Sequence, residues 1–139
     1  MNRNIHVVDT VSTQNLEGFE SVAISRTDDI VNYSVDTLYC SMINRFEEKT
    51  KDLFLNKLLR KIRLGGSLIL RFIDTKTLAK MYWDNQITSQ EFISKISNNN
   101  TLTTVEEIND KINNNEFILS KIEYREDSIL ISVVRKEIL

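Results

Sequence analysis

Residues 52–73 read DLFLNKLLRKIRLGGSLILRFI, and the change of hydrophobic period within them decides the fold. Leu55, Leu58, Leu59 and Ile62 recur at i, i+3, i+4 and i+7, which gathers them on one face and predicts a helix over Phe46 to Arg63. Glu47 and Glu48 at its start and Arg60, Lys61 and Arg63 at its end complement the helix dipole. Glu47 and Lys51 make a favourable i, i+4 pair. Gly65 is expected to end the helix as its C′ residue. Leu68 to Ile73 is then a short apolar run of buried-strand type. A helix leading directly into a buried strand is half of a strand–helix–strand unit.

The flanks complete the pattern. Upstream, Val35 to Cys40 reads as a strand, as do the shorter runs Ser21 to Ile24 and Ile5 to Asp9. Downstream, three short helices are expected. Asp74 caps the first, which carries Leu78, Met81 and Tyr82. Thr88 and Glu91 have capping-box spacing ahead of Phe92, Ile93 and Ile96. Thr104 and Glu107 repeat that spacing ahead of Ile108 and Ile112. The runs Asn98 to Asn100 and Asn113 to Asn115 break the last two. Phe117 to Tyr124 and Ser128 to Arg135 form a hairpin about a turn at Arg125, Glu126 and Asp127. Strands alternating with helices and ending in a hairpin predict an α/β, three-layer Rossmann-like fold. Its sheet is mostly parallel with an antiparallel C-terminal hairpin, and residues 1–139 form a single domain.

Composition narrows the chemistry. The chain has 139 residues with 3 Gly, 0 Pro, 1 Cys and 1 His. Two glycines are adjacent, Gly65 and Gly66, and the third is Gly18, so neither a phosphate loop nor a dinucleotide fingerprint can form. One cysteine excludes an internal disulfide and a zinc ribbon, and one histidine excludes a multi-histidine metal site; no metal is expected. A net charge of −2 argues against nucleic acid held by bulk electrostatics. No apolar run approaches the roughly 20 residues that cross a bilayer, and no signal-peptide core is present. The expected location is cytoplasmic, with no membrane partner.

Several segments resemble one branch of the class I S-adenosylmethionine (SAM)-dependent methyltransferases. Asn15-Leu16-Glu17-Gly18-Phe19 followed by Ser21-Val22-Ala23-Ile24 is similar to that branch's Leu-Pro-Gly-Trp-like turn and second strand. Asp36-Thr37-Leu38-Tyr39-Cys40-Ser41 resembles the start of the family's fourth strand, D-x-[IV]-[YW]-[CA]-S. Arg60 to Leu70 resembles R-x-L-K-P-G-G-x-L-x-[IL] at the arginine, both glycines and the strand, with Leu64 in place of the proline. Leu78 to Tyr82 and Ile87 to Phe92 are similar to a helical insert of the branch, and the final hairpin fits its last two strands.

The resemblance also locates what is missing. The family's glycine loop lets backbone approach the cofactor closely. Its positions fall at about Thr10 and Ser12, and no glycine occurs from residue 1 to 17. The acid that receives the ribose hydroxyls is replaced by Ala23, or by Ser25 in a shifted register, with Asp28 and Asp29 nearby. The histidine pair and acid after the fourth strand are replaced by Met42, Asn44 and Arg45. The resemblance therefore implies a short, degenerate member: a pseudoenzyme acting as a structural, binding or regulatory subunit, with a protein partner or self-association as an oligomer. The competing reading is an active, divergent SAM-dependent methyltransferase, with Asp9, Thr10, Ser12 and Ser41 as cofactor-binding candidates and no catalytic residue assigned. The third is a nucleic-acid module using Arg60 to Arg63.

The remaining candidates have plainer readings. Asp9 is a strand-end residue that could meet a ligand amine. Cys40 on a buried strand reads as a packed thiol unless His6 converges on it. Tyr82 and Trp83 anchor a helix to the core or stack on an aromatic ligand.

Overall fold

The computed structural model describes residues 3–9, 16–97, 103–112, 116–125 and 128–137. Its strands are β1 (Asn4–Val8), β2 (Glu20–Ala23), β3 (Val35–Cys40), β4 (Ile62–Ile73), β5 (Phe117–Arg125) and β6 (Ser128–Arg135). Helix α1 (Glu48–Lys61) connects β3 to β4, and α2 (Thr75–Trp83), α3 (Ser89–Ser97) and α4 (Val105–Ile112) lie between β4 and β5. Short 3-10 helices follow β2, at Ile24–Asp29, and β3, at Ile43–Arg45. The sheet order is β2-β1-β3-β4-β6-β5. β1 runs parallel to β2 and β3, β3 runs parallel to β4, and β6 is antiparallel to both β4 and β5. This is the expected mixed sheet with an antiparallel C-terminal hairpin. Among the described residues no helix is long and apolar enough to cross a membrane.

Register sorts the side chains. Ile5, Leu38, Leu68 and Val133 form one cross-strand row, and Val7, Cys40, Leu70 and Ile131 the next; each of these is 0% exposed. Phe54, Leu55, Leu58 and Leu59 of α1 and Ile108 and Ile112 of α4 join the same core. Side chains alternate across a strand, so the row between these two points the other way. It is Ser21, His6, Tyr39, Ile69 and Ser132, all half-buried and none in the hydrophobic core.

α1 stops two residues before the expected Arg63, and β4 starts at Ile62 rather than Leu68. The carbonyls of Arg60 and Lys61 accept the backbone N–H groups of Tyr33 and Ser34 at 3.0 and 3.1 Å, and Ile62 pairs with Val35, so the chain is drawn straight into the sheet. Gly65 is therefore not the helix stop. With φ +77° it lies inside β4, where the pairing with β3 shifts register. A Cβ on Gly66 would come within 2.9 Å of the Val35 carbonyl, so this close approach also needs glycine.

The three caps form where the sequence places them. Asp74 accepts from Thr77 N–H at 2.8 Å. Thr88 and Glu91 exchange both bonds of a capping box, at 3.2 and 3.1 Å. Thr104 accepts from Glu107 N–H at 3.2 Å. The asparagine runs, with Glu126 and Asp127 of the hairpin turn, lie outside the described residues.

Candidate site at the sheet switch point

From β1 the chain crosses to β2 on one side and returns to β3 on the other. Open α/β sheets bind ligands outside the carboxyl ends of the strands at such a switch point. Here Asp9, following β1, and Ser41, following β3, flank it, and both are exposed. Arg45 reaches from the 3-10 helix after β3 to Asp9, Nη1 to Oδ2 at 3.2 Å, so an ion pair links the two sides. Thr10 and Ser12 lie outside the described residues. Gly18 takes φ +82° in a turn closed by Phe19 N–H to the Leu16 carbonyl at 3.0 Å, as the turn-like motif predicts.

β2 ends at Ala23, which offers no side-chain acceptor. The nearby acids are engaged in the adjoining 3-10 helix: Asp28 pairs with Lys57 at 3.0 Å and Asp29 with Arg26 at 3.1 Å. After β3, Met42 and Asn44 are each 6% exposed. Asn44 accepts the Ile73 N–H at 3.0 Å and donates to Thr103 Oγ1 at 3.3 Å, tying the ends of β3 and β4 to the start of α4. These two positions serve packing and backbone satisfaction.

Beside Asn44 lies a polar cluster that the sequence reading did not identify. Lys51, 0% exposed, donates to Glu107 at 2.9 Å, Glu48 at 3.2 Å and Thr103 Oγ1 at 3.3 Å. Lys111 bonds Glu107 at 2.9 Å, Glu48 at 3.3 Å and, more closely, Asp52. Burial raises the Glu107 carboxyl, but the hydrogen bonds from Lys51 and Lys111 outweigh it and hold the group at about 2. Burial likewise lowers Lys111, and its bonds to Asp52, Glu107 and Glu48 carry it well above the usual lysine range. The signal was present in the period: Lys51 precedes Leu55, Leu58 and Ile62 by 4, 7 and 11 positions, on the apolar stripe. α4 brings Glu107 to it, and Thr103, two residues before that helix, comes with it, which no local pattern announces.

Cys40 and His6 do not converge. Cys40 pairs with Val7 on the core face, whereas His6 pairs with Tyr39 on the opposite face. Burial pushes the Cys40 thiol up to about 12, so it is protonated at neutral pH. Burial lowers the His6 imidazole, whose ring meets Tyr39 edge-on at 5.1 Å between centroids. The basic run is dispersed: Lys61 is buried, bonding the Ile30 carbonyl at 2.8 Å and Asn32 at 2.9 Å, and Arg63 pairs closely with Asp36. Tyr82 stacks on Phe92 of α3, with centroids 4.9 Å apart, while Trp83 is 85% exposed and anchors nothing to the core.

No protein-family model and no curated protein sequence matches the chain. Solved structures do. A type 11 methyltransferase from Sulfolobus solfataricus superposes with TM-score 0.55 at 12% identity over 84% of this chain and 59% of its own. A SAM-dependent methyltransferase from Thermotoga maritima does so with TM-score 0.62 at 15% identity over 98% and 83%. A Haloferax volcanii methyltransferase, solved in complex with the Trm112 methyltransferase activator, gives 0.57 at 11% over 89% and 65%. The chain thus spans less than two thirds of the first and third. The likeness at these identities is one of architecture, and with the strand order and the switch point it shows that the chain has the class I SAM-dependent methyltransferase fold.

Proposed function

We propose that this chain is a non-catalytic subunit built on the methyltransferase fold, working through protein association rather than methyl transfer. The observation that carries this reading is the use made of the cofactor positions. Ala23 supplies no acceptor for ribose hydroxyls, Asp9 is held by Arg45, and Met42 and Asn44 are turned into packing. No glycine precedes Gly18, so no residue on that side combines the absence of a Cβ with free backbone angles. The described residues do not fit SAM, and no reaction step is assigned to it.

Association is supported by the sheet. Sheets built from parallel strands ordinarily have both faces covered, yet the row from Ser21 to Ser132 remains half-buried and outside the core. The Haloferax neighbour shows a methyltransferase engaging a protein activator. The test is isothermal titration of the purified chain with SAM and with S-adenosylhomocysteine. No heat of binding is expected, and micromolar affinity for either would overturn the reading in favour of an active, divergent methyltransferase.

A further inference from the structure

At the opposite end of the sheet from the switch point, a cleft of about 340 Å³ opens beside the C-terminus of α1, the start of β5 and the end of β6. Tyr33, Arg60, Lys111, Glu116, Phe117 and Arg135 line it. Lys111 is already committed to three carboxylates. The two guanidinium groups are not: among the described residues neither Arg60 nor Arg135 has an acidic partner. Arg135 is also fixed in place. Its Nη1 donates to the Ile62 carbonyl at 3.0 Å, and its guanidinium lies over the Tyr33 ring, 4.3 Å from the centroid. The Arg60 and Lys61 carbonyls at the end of α1 accept the Tyr33 and Ser34 N–H groups, which fixes the Tyr33 turn against the helix end.

Tyr33 adds a second, independent signal. It sits at φ +62°, a left-handed conformation uncommon for any residue but glycine and costly for a bulky one. The strained turn keeps a phenol ring, 56% exposed, as one wall of the cleft.

We propose that this cleft binds a small phosphomonoester bearing a flat ring. Arg60 and Arg135 present planar donor forks suited to a phosphate dianion, and Tyr33 offers its exposed surface to the ring. The cleft volume lies at the lower end of that of small-molecule sites. The proposal is independent of whether SAM binds at the switch point.

Phenyl phosphate, inorganic phosphate and phenol are titrated into the full chain, followed by calorimetry or amide chemical shifts. Phenyl phosphate is expected to bind below about 1 mM, inorganic phosphate more weakly and phenol not measurably. Arg60→Gln, which removes an exposed side chain that has no hydrogen bond or ion pair among the described residues, should weaken phenyl phosphate at least roughly tenfold with the unfolding midpoint unchanged. Tyr33→Asn, compatible with a left-handed backbone, should erase the advantage of phenyl phosphate over inorganic phosphate. Absence of phenyl phosphate binding at roughly 10 mM overturns the site, as does an affinity that Arg60→Gln leaves unaltered.

Discussion

Lys51 shows how a single residue can belong to the core and to a charge network at once. Its four-carbon stem continues the apolar stripe of α1, and its ammonium ends among Glu48, Thr103 and Glu107. Lys51→Ala removes the stem and leaves the half-buried Glu107 carboxylate short of one partner. A loss of about 3 kcal/mol is expected, from cavity and uncompensated charge together. Lys51→Met keeps most of the volume and leaves Lys111 to hold Glu107, so it should cost less than half as much. Urea unfolding of the two variants separates the contributions; equal losses would mean that the charge, and not the stem, carries the effect. Asp36 makes the same point on a smaller scale. Its carboxylate accepts from the Arg3 backbone and from Arg63, bonds that lower its pKa and tie the start of β3 to β1 and β4. That structural task accounts for an acid at the first position of the methyltransferase-like strand motif.

Among the elements, Asp74 stands at a junction. One carboxylate oxygen accepts from Thr77 N–H and opens α2; the other accepts from Val105 N–H, at 2.9 Å, and opens α4. Asp74→Ala takes a capping bond from two helices, and with about 1 kcal/mol for each cap the expected cost is about 2 kcal/mol, read as a shift in the denaturation midpoint. The first of these caps was legible, because it obeys local spacing; the second joins residues 31 apart and has no sequence signature. The same division runs through the fold. β3, the helix faces and the capping boxes follow from period and spacing, whereas the end of α1 is set by Tyr33 and Ser34, which precede β3 and reach it only in the folded chain. α4 also makes the molecule sensitive to pH. Glu107 titrates at about 2 in the folded chain against 4.5 when unexposed to its partners, so its contribution is complete above pH 4.5 and declines as pH falls toward 2. Lys111 is raised above 10.5, so its contribution is complete below that pH and is lost on going higher. Unfolding free energy is therefore expected to fall at both extremes, and Glu107→Gln should flatten the acid limb between pH 4.5 and 2. An unchanged acid limb in that variant would assign the acid sensitivity to other carboxylates.

For the whole molecule, strand order and cofactor chemistry come apart. The order β2-β1-β3-β4-β6-β5 creates a switch point whatever residues occupy it, because topology is decided by which apolar rows pair. A ligand site there needs particular side chains and particular glycines besides. The sequence was informative on this because absence is readable: no glycine before Gly18 and no acid at Ala23 can be seen without coordinates. The reassignment of Asn44 to the β4 end and of Arg45 to Asp9 could not, since both depend on neighbours brought together by the sheet. Linkage turns this difference into a measurement. A ligand bound at about 1 µM and supplied at about 1 mM stabilises the native state by about 4 kcal/mol, which for a chain of this length raises the unfolding midpoint by roughly 10 °C. The expected shift with SAM is nil. Ala23→Asp, which restores only a ribose acceptor, should leave it nil, because the backbone approach that a glycine loop permits is still lacking. If Ala23→Asp alone produced a SAM-dependent midpoint, the stretch that follows β1 and precedes Gly18 would have to accept the cofactor without glycine, and the site would be one substitution from function rather than several.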